Sequence, residues 1–252
     1  MPIFGKREAY PEEKSPGEWV TEADKACELF LEPALKRLLP NSIVVGEEAV
    51  HADPSILSGL SYKGEFWLVD PLDGTSNFAN GVTPFALMVA LIRSGETVAS
   101  WIFNPIDRIM SIAERGSGSW INSERLKVSN AYRGLAQLDG ALLRRFLPPE
   151  IDQHVTENER RFASLSGGSK CSGYDYPALA NGSLDFVMYW RTLPWDHAPG
   201  ILIFQEAGGY VSRLDGSAYR PTDYESQGLL AAQSADMWRE VTTTLLPKQL
   251  SL

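Results

Sequence analysis

Two carboxylates stand three residues apart in the stretch VDPLDGTSNF, which runs from residue 69 to residue 78. An apolar run at 66–69 leads directly into Asp70, and Gly74 follows Asp73 at once. Proline, aspartate and glycine together are typical of an ordinary turn. Two carboxylates at a strand end could instead hold divalent cations, while the amides that follow face an anion. Both interpretations, a turn and a metal site, are open from this stretch alone.

Other acidic residues stand where predicted elements end or begin. Glu47 and Glu48 follow a short apolar strand, and Asp196 opens a helix in LPWDHAPG. Each has an ordinary explanation, because an acid at a helix start is stabilised by the helix dipole and the spare amides. If several of these acids converge, however, two charges about 4 Å apart repel by roughly 4 kcal/mol at an effective dielectric of about 20.

Bound Mg²⁺ or Mn²⁺ would remove that repulsion, since both ions prefer hard oxygen ligands. The amides of Gly74 and Thr75 would then lie at a helix start, which is the usual geometry for binding phosphate. Metal ions beside an anion-binding turn indicate phosphoryl chemistry.

Several other kinds of site are absent from the sequence. It contains no GxxxxGK[ST] P-loop and no GxSxG nucleophile elbow. The histidines His51, His154 and His197 do not have the spacing of a zinc protease. A calcium loop that began at Asp70 would need glutamate at position 81, where Gly81 stands.

Composition favours an ordinary globular protein, with 44% hydrophobic and 22% charged residues. A net charge of −9 argues against a nucleic-acid polymer as partner. Cys27 and Cys171 form no disulfide framework and no zinc spacing, so we expect both to be structural. The N-terminus lacks the apolar core of a signal peptide, and the longest apolar run, at 85–92, is too short for a bilayer. We therefore expect a soluble, cytoplasmic protein with no membrane partner.

The hydrophobic pattern predicts an α+β first half and an α/β second half. Apolar residues recur at helical spacing after Thr21, the expected N-cap, and Pro33 is expected to kink or break this helix. The runs PFALMVALIR, TVASWIFNP and RIMSIAE indicate an antiparallel meander. The polar stretch LPPEIDQHVTENERR is expected to mark the crossing to a second lobe, where helices and strands alternate. We expect an N-terminal lobe at 1–130 and a C-terminal lobe at 131–252.

Four stretches together resemble the inositol monophosphatase family, the magnesium-dependent, lithium-sensitive phosphatases. They are KSPGEWVTEADKACE, VGEE, WLVDPLDGTSNF and LPWDHAPGILIFQEAGGYV, at 14–28, 45–48, 67–78 and 193–211. The resemblance covers about residues 14 to 232 in matching order and spacing, and its two long motifs are highly specific. It implies a layered αβαβα sandwich of the inositol monophosphatase and fructose-1,6-bisphosphatase type, with the site between two lobes.

The same resemblance implies a ligand set for about two or three Mg²⁺ ions per site, with Mn²⁺ as a substitute. The implied metal ligands are Glu47, Asp70, the Leu72 carbonyl, Asp73 and Asp196.

The resemblance also implies roles around the phosphate. Asp73, Gly74 and Thr75 would bind it. Thr75 and Asp24 would form a hydrogen-bonded pair that, with Glu47, orients and deprotonates a metal-bound water. Asp24 also suits another role, as the capping-box partner of Thr21.

The sequence departs from the family pattern around the substrate. Family members that act on inositol phosphate carry a glutamate six residues before the motif tryptophan, where this chain has Tyr189. Arg191 lies nearby, and in the turn at 170–172 Lys170 replaces a glycine. We expect Tyr189, Arg191, Lys170 and Ser172 to influence specificity. Arg191 and Lys170 either favour a second negative group, as on a nucleotide bisphosphate, or lie on a solvated rim.

The sequence therefore predicts a Mg²⁺-dependent phosphomonoesterase that hydrolyses a small soluble phosphate ester with a metal-activated water. An inositol or sugar monophosphate is the first expectation, a nucleotide 3′-phosphate such as a 3′,5′-bisphosphate the second, and histidinol phosphate the third. A regulator that keeps the pocket without turnover and a structural metalloprotein are the alternatives. Family members carry a helix ahead of residue 14, and its loss would expose apolar surface to a partner subunit, so a homodimer is expected.

Overall fold

The computed structural model describes residues 12–15, 18–61, 64–129 and 134–247. The expectations about the N-terminal helix and about a lobe boundary at 130/131 concern residues outside these ranges, and both stay predictions. The strands are β1 Glu12–Ser15, β2 Glu18–Val20, β3 Ile43–Gly46, β4 Glu65–Asp73, β5 Ala86–Arg93, β6 Glu96–Asn104, β7 Ile109–Glu114, β8 Gly118–Ile121, β9 Glu124–Arg125, β10 Asp139–Leu142, β11 Ser164–Ser166, β12 Phe186–Tyr189, β13 Tyr210–Arg213 and β14 Leu229–Ala232. The α-helices are α1 Glu22–Leu38, α2 Glu47–Ala52, α3 Thr75–Ala79, α4 Pro149–Asn158, α5 Ser172–Ala180, α6 Pro194–Glu206 and α7 Ala235–Leu245.

The first large sheet follows the chain, with seven strands in the order β3 to β9. Only β3 and β4 pair in parallel, and the other neighbours are antiparallel, so the expected meander is confirmed. Ser94 and Gly95 both take positive φ between β5 and β6, which is the requirement of a tight hairpin turn. Strand β4 is buried almost throughout and therefore has a continuous apolar sequence before Asp70.

The second large sheet has the order β11-β10-β12-β14-β13. The strand of this sheet that comes earliest in the chain, β10, precedes the polar stretch that we expected to mark the crossing between lobes. That expectation is wrong, because the stretch forms α4, whose buried Ile151 and Val155 stand one helical turn apart. Helix α4 packs against α7, and its polar residues face solvent.

The layers are helix, sheet, helices, sheet, helices. Helix α1 packs on the first sheet at β4, whereas α5 and α6 lie between the two sheets. Helices α4 and α7 cover the outer side of the second sheet, α7 directly at β13 and β14. The expected αβαβα sandwich is confirmed. Helix α6 is apolar over most of its surface because both sheets contact it.

Helix α1 begins after Thr21, as expected, and runs through Pro33 without a break. Proline removes one backbone donor, the one that would bind the carbonyl of Leu29. Because Leu29 is on the exposed face of the helix, water can replace that donor. Among the described residues, no helix combines the length and the apolar character needed to cross a membrane.

Helices α5 and α6 approach closely at Gly200. A Cβ atom on this residue would lie 2.0 Å from Cδ2 of Tyr176, which is fully buried. We predict that Gly200→Ala lowers the free energy of unfolding by about 1–3 kcal/mol, because the rigid ring cannot yield without repacking. Urea denaturation would measure the change. Gly59→Ala is the matched control, since nothing lies within 4 Å of that Cβ position; equal midpoints for the two variants would contradict the prediction.

Candidate active site

Strand β4 positions Asp70 and Asp73 at its carboxyl end. Its register with β5 is irregular between these two residues, where Pro71 supplies no donor to the ladder. Asp70 is buried, and its Oδ1 accepts a hydrogen bond of 2.9 Å from the backbone N–H of Leu72. The turn that follows Asp70 therefore also fixes the orientation of this buried carboxylate.

Glu47 reaches the same place through strand pairing. Strand β3 runs parallel to β4, with Gly46 opposite Val69. Glu47, the residue after β3, therefore lies beside Asp70, the residue after Val69 in β4. Asp196 arrives from a distant part of the sequence, in the first turn of α6. All four acids, including Asp73, border one cavity of about 550 Å³.

The electrostatics of the cavity show that these acids act on one another. Burial raises the pKa of Asp70 well above its usual range, and the neighbouring charges of Glu47, Asp73 and Asp196 raise it further. Burial also raises the pKa of Asp73 to about 6. The backbone N–H of Gly173 opposes that increase by donating to Asp73 Oδ2 at 2.5 Å.

The donor set fits a hard divalent cation, since it consists of carboxylates and the Leu72 carbonyl, all oxygen ligands. In the described part of the chain, no three Asp, Glu, His or Cys side chains are already close enough to hold one ion. Mg²⁺ usually binds only one or two protein carboxylates and completes its shell with other oxygens, so this spacing is compatible with a bound cation.

A turn that begins with Gly74 follows the carboxylates. Gly74 precedes α3 with φ of +86°, and a Cβ atom there would lie 3.0 Å from the carbonyl oxygen of Pro84. Glycine is therefore required by both backbone conformation and space. Gly74 and Thr75 border the cavity beside Asp73, where their backbone can approach an anion closely.

Asp24 is buried, and its two carboxylate oxygens face different partners. Its Oδ2 accepts from the backbone N–H of Thr21 at 2.8 Å and from the hydroxyl of Thr21 at 2.5 Å, which completes a capping box. Its Oδ1 lies 3.3 Å from the hydroxyl oxygen of Thr75. That hydroxyl also lies 2.8 Å from the Leu72 carbonyl, and its single proton favours this shorter contact.

The four residues expected to govern specificity lie at the cavity in different ways. Tyr189 is buried, and its hydroxyl donates to Asp175 at 3.0 Å. Lys170 is exposed and has φ of +60°, a conformation that suits the glycine it replaces. Arg191 is half-buried.

Ser172 lies between two expected metal ligands rather than on the rim. Its hydroxyl oxygen is 2.5 Å from the backbone carbonyl of Asp196 and 3.1 Å from Asp73 Oδ2. It therefore ties α5 to the start of α6 and to the end of β4.

Sequence reasoning missed several residues that border the cavity or support it. Asp175 accepts a hydrogen bond from the Tyr189 hydroxyl. Its Oδ1 also accepts from the backbone N–H of Ser169, in the segment that precedes α5, at 3.3 Å. Arg145 and Phe146 also border the cavity. Nothing in the local sequence of Arg145 and Phe146 indicates that they border the same cavity as Asp70, because their position depends on the pairing of distant strands.

The two thiols fit a structural role. Burial raises the pKa of Cys27 to about 11, with Asp24 and Glu28 adding to the effect. Cys171 is buried at the cavity wall, and burial raises its pKa well above the usual range. Both thiols therefore stay protonated near neutral pH.

Glu28 supports Glu47 from behind. Its buried carboxylate accepts 3.0 Å hydrogen bonds from the backbone N–H groups of Glu48 and Ala49, at the start of α2. It occupies the space next to Gly46, where a Cβ atom would lie 2.3 Å from Glu28 Cδ. The side chain therefore holds the turn from which Glu47 projects.

We predict that Glu28→Gln weakens Mg²⁺ binding by about 10- to 100-fold, because an amide cannot accept both hydrogen bonds and Glu47 loses its support. Isothermal titration calorimetry with MgCl₂ would measure this. Glu22→Gln, an exposed change in the same helix, is the control. Unchanged affinity in a folded Glu28→Gln variant would refute the positioning role.

Comparison with known proteins shows which family this chain is similar to. The sequence model of the inositol monophosphatase family matches residues 3–251. A relative from Pseudomonas aeruginosa, named Nus factor SuhB, is 32% identical over 243 residues, which are 93% of this chain and 85% of that protein. Inositol-1-monophosphatase from Mesorhizobium japonicum is 32% identical over 209 residues, covering 81% of this chain and 75% of the other. The crystal structure of extragenic suppressor protein SuhB from Bartonella henselae superposes with a TM-score of 0.79 at 27% identity, covering 94% of this chain and 88% of that one.

Proposed function

Because the chain belongs to the inositol monophosphatase family, we propose that it is a Mg²⁺-dependent phosphomonoesterase acting on a small phosphate ester. The observation that carries the proposal is one cavity that joins four acids to a glycine-led turn: Glu47, Asp70, Asp73 and Asp196 beside Gly74. The charges of three neighbouring acids raise the pKa of Asp70, an arrangement that favours a bound cation, and the turn beside them suits an anion.

Mg²⁺ would be held by these four carboxylates and the Leu72 carbonyl. When bound, the ion lowers the pKa of water and offsets the negative charge of the phosphate. Gly74 and Thr75 bind the phosphate through their backbone N–H groups. Glycine at position 74 lets this turn pack against Pro84 and Phe85.

Thr75 and Asp24 orient the attacking water through a shared hydrogen bond. If the Leu72 carbonyl held a cation, the Thr75 hydroxyl would donate to Asp24 Oδ1, which lies 3.3 Å away. Asp24 remains in place because Thr21 donates twice to its other oxygen. The Thr75 oxygen then presents a lone pair to the attacking water, and the Glu47 carboxylate accepts a hydrogen bond from the same water.

A binding protein that retains this pocket without turnover is the second candidate, since the Pseudomonas aeruginosa relative is named a Nus factor. Loss of a ligand or of the proton-handling pair would favour that candidate. All the expected residues are present, so hydrolysis is the better-supported function. Cytoplasmic location, a homodimer and the exclusion of nucleic acid as partner stay predictions.

Phosphate release tests the proposal directly. We expect Mg²⁺-dependent release from at least one of inositol 1-phosphate, fructose 1,6-bisphosphate, adenosine 3′,5′-bisphosphate and histidinol phosphate. EDTA should abolish it, and Mn²⁺ should restore it in part. No release from any of these esters while Mg²⁺ still binds would favour the binding protein instead.

The variant Asp73→Asn tests whether Asp73 is a metal ligand. We predict that it lowers kcat/KM by at least about 100-fold, since losing a ligand costs more than losing an outer hydrogen-bond partner. In EDTA its melting temperature should equal or exceed that of the parent, because a partly buried charge whose pKa is raised is removed while the amide oxygen still accepts from Gly173. Asp236→Asn, on the exposed start of α7, is the control. Near-parental turnover by Asp73→Asn would remove this residue from the site.

A further inference from the structure

The first turn of α6 carries Asp196 and, directly after it, a buried histidine, His197. Both residues border the cavity. The proposed hydrolysis assigns no step to His197, although only 2% of this residue is exposed. Buried polar groups are normally hydrogen-bonded, so the partners of this ring indicate what it does beside a candidate metal ligand.

Both ring nitrogens of His197 have partners. Nε2 lies 3.2 Å from the backbone carbonyl oxygen of Arg191, and Nδ1 lies 3.0 Å from the hydroxyl oxygen of Tyr176. A carbonyl oxygen can only accept, so Nε2 carries a proton and donates it. Burial lowers the pKa of His197 to about 3, so the ring is neutral and Nδ1 accepts from the Tyr176 hydroxyl. The two hydrogen bonds fix both the tautomer and the orientation of the ring.

The hydrogen bond to Arg191 closes a loop in the chain around Asp196. Arg191 precedes α6, so the His197 side chain reaches back past the start of its own helix. The backbone of Asp196 lies inside the segment that this bond closes. A shift of the first turn of α6 would therefore break the bond.

The residues on either side of that carbonyl are themselves held in place. The Trp190 carbonyl accepts from the backbone N–H of Gly228 at 2.7 Å. The Thr192 hydroxyl donates to the Ser226 carbonyl at 2.7 Å, and Nη1 of the buried Arg213 donates to the same carbonyl at 2.9 Å. The histidine is thus bonded to a segment that is anchored independently of α6.

Helix α5 holds the same turn of α6 at two consecutive residues. Ser172 and Tyr176 stand four residues apart and therefore lie on one face of α5. The Ser172 hydroxyl oxygen is 2.5 Å from the Asp196 carbonyl. One turn further along, the Tyr176 hydroxyl reaches His197. The Tyr176 ring can approach α6 so closely because Gly200 has no Cβ atom.

We propose that Tyr176 and His197 are a positioning pair, which fixes the backbone of Asp196 so that its carboxylate can hold a cation together with Asp73. The pair binds α6 to α5 on one side and to the Arg191 carbonyl on the other. Hydrogen-bond partners that support metal ligands typically change metal affinity by about 10- to 100-fold when they are removed. This inference rests on the proposed function, because it assigns the pair to the same cation site.

Calorimetric titration with MgCl₂ tests the pair without any ester. We expect His197→Met to weaken Mg²⁺ binding by about tenfold or more, because methionine fills the space but cannot donate to the Arg191 carbonyl. His197→Gln has the same length, retains a donor and should recover most of the affinity. Tyr176→Phe, which removes only the hydroxyl, should weaken binding in the same direction. Tyr174→Phe, an exposed change in the same helix, is the control.

Nitrogen NMR of histidine-labelled protein gives a second measurement, which needs no variant. The signals of His197 should show a proton on Nε2 and none on Nδ1. A proton on Nδ1 instead would overturn the proposal. Parental Mg²⁺ affinity in a folded His197→Met variant would overturn it too, and equal losses in the Met and Gln variants would show a packing role only. Weakened Mg²⁺ binding as expected, without hydrolysis of any ester by the parent, would refute the proposed hydrolysis alone.

Discussion

Repulsion between the buried Asp70 and three partly buried carboxylates is the constraint on which the rest of the site depends. Asp70 is buried at the end of β4, close enough to Glu47, Asp73 and Asp196 for each charge to raise its pKa. Such an arrangement destabilises the fold unless hydrogen bonds and a cation compensate for it. The surrounding structure accordingly supplies donors, including the Leu72 amide to Asp70 and the Gly173 amide to Asp73.

Glycines allow the elements that carry these acids to approach one another. At Gly173 a Cβ atom would lie 2.8 Å from Cβ of Ala86, and at Gly46 it would collide with Glu28. Helix α5 can therefore lie between the sheets while its first turn contacts Asp73. The site geometry therefore depends on close packing of these helices. A hydrogen bond joins Ser172 to Asp196, so a displaced helix would move both residues.

The cavity has two chemical ends, which come from the edges of two different sheets. Parallel pairing of β3 with β4 places Glu47 beside Asp70 at one end. Parallel pairing of β10 with β12 places Arg145 near Arg191 at the other. Side chains of both charges therefore border one cavity.

Local chemistry could be predicted from the sequence because it lies within short stretches. The ligand turn VDPLDGT, the capping box of Thr21 with Asp24 and the antiparallel meander each depend on neighbouring residues. The resemblance of the longer motifs to one family extended those predictions to the layered fold. The wrong expectations arose where a local rule competed with its surroundings. The helix continues through Pro33 on an exposed face, and a polar stretch forms α4 with only two buried residues.

The tertiary structure decided what depends on residues far apart in the chain. Glu28 supports α2 from 20 residues upstream of Glu48, and Asp175 holds Tyr189 in place. Arg145 meets Arg191 only because β10 and β12 are adjacent strands. No local pattern specifies such contacts, since strand order and helix packing are set by how the whole core is filled. The sequence by itself determined the acids and the turn that suit phosphate chemistry. Folding decided which side chains surround them, because burial and strand pairing bring together residues that no short motif contains.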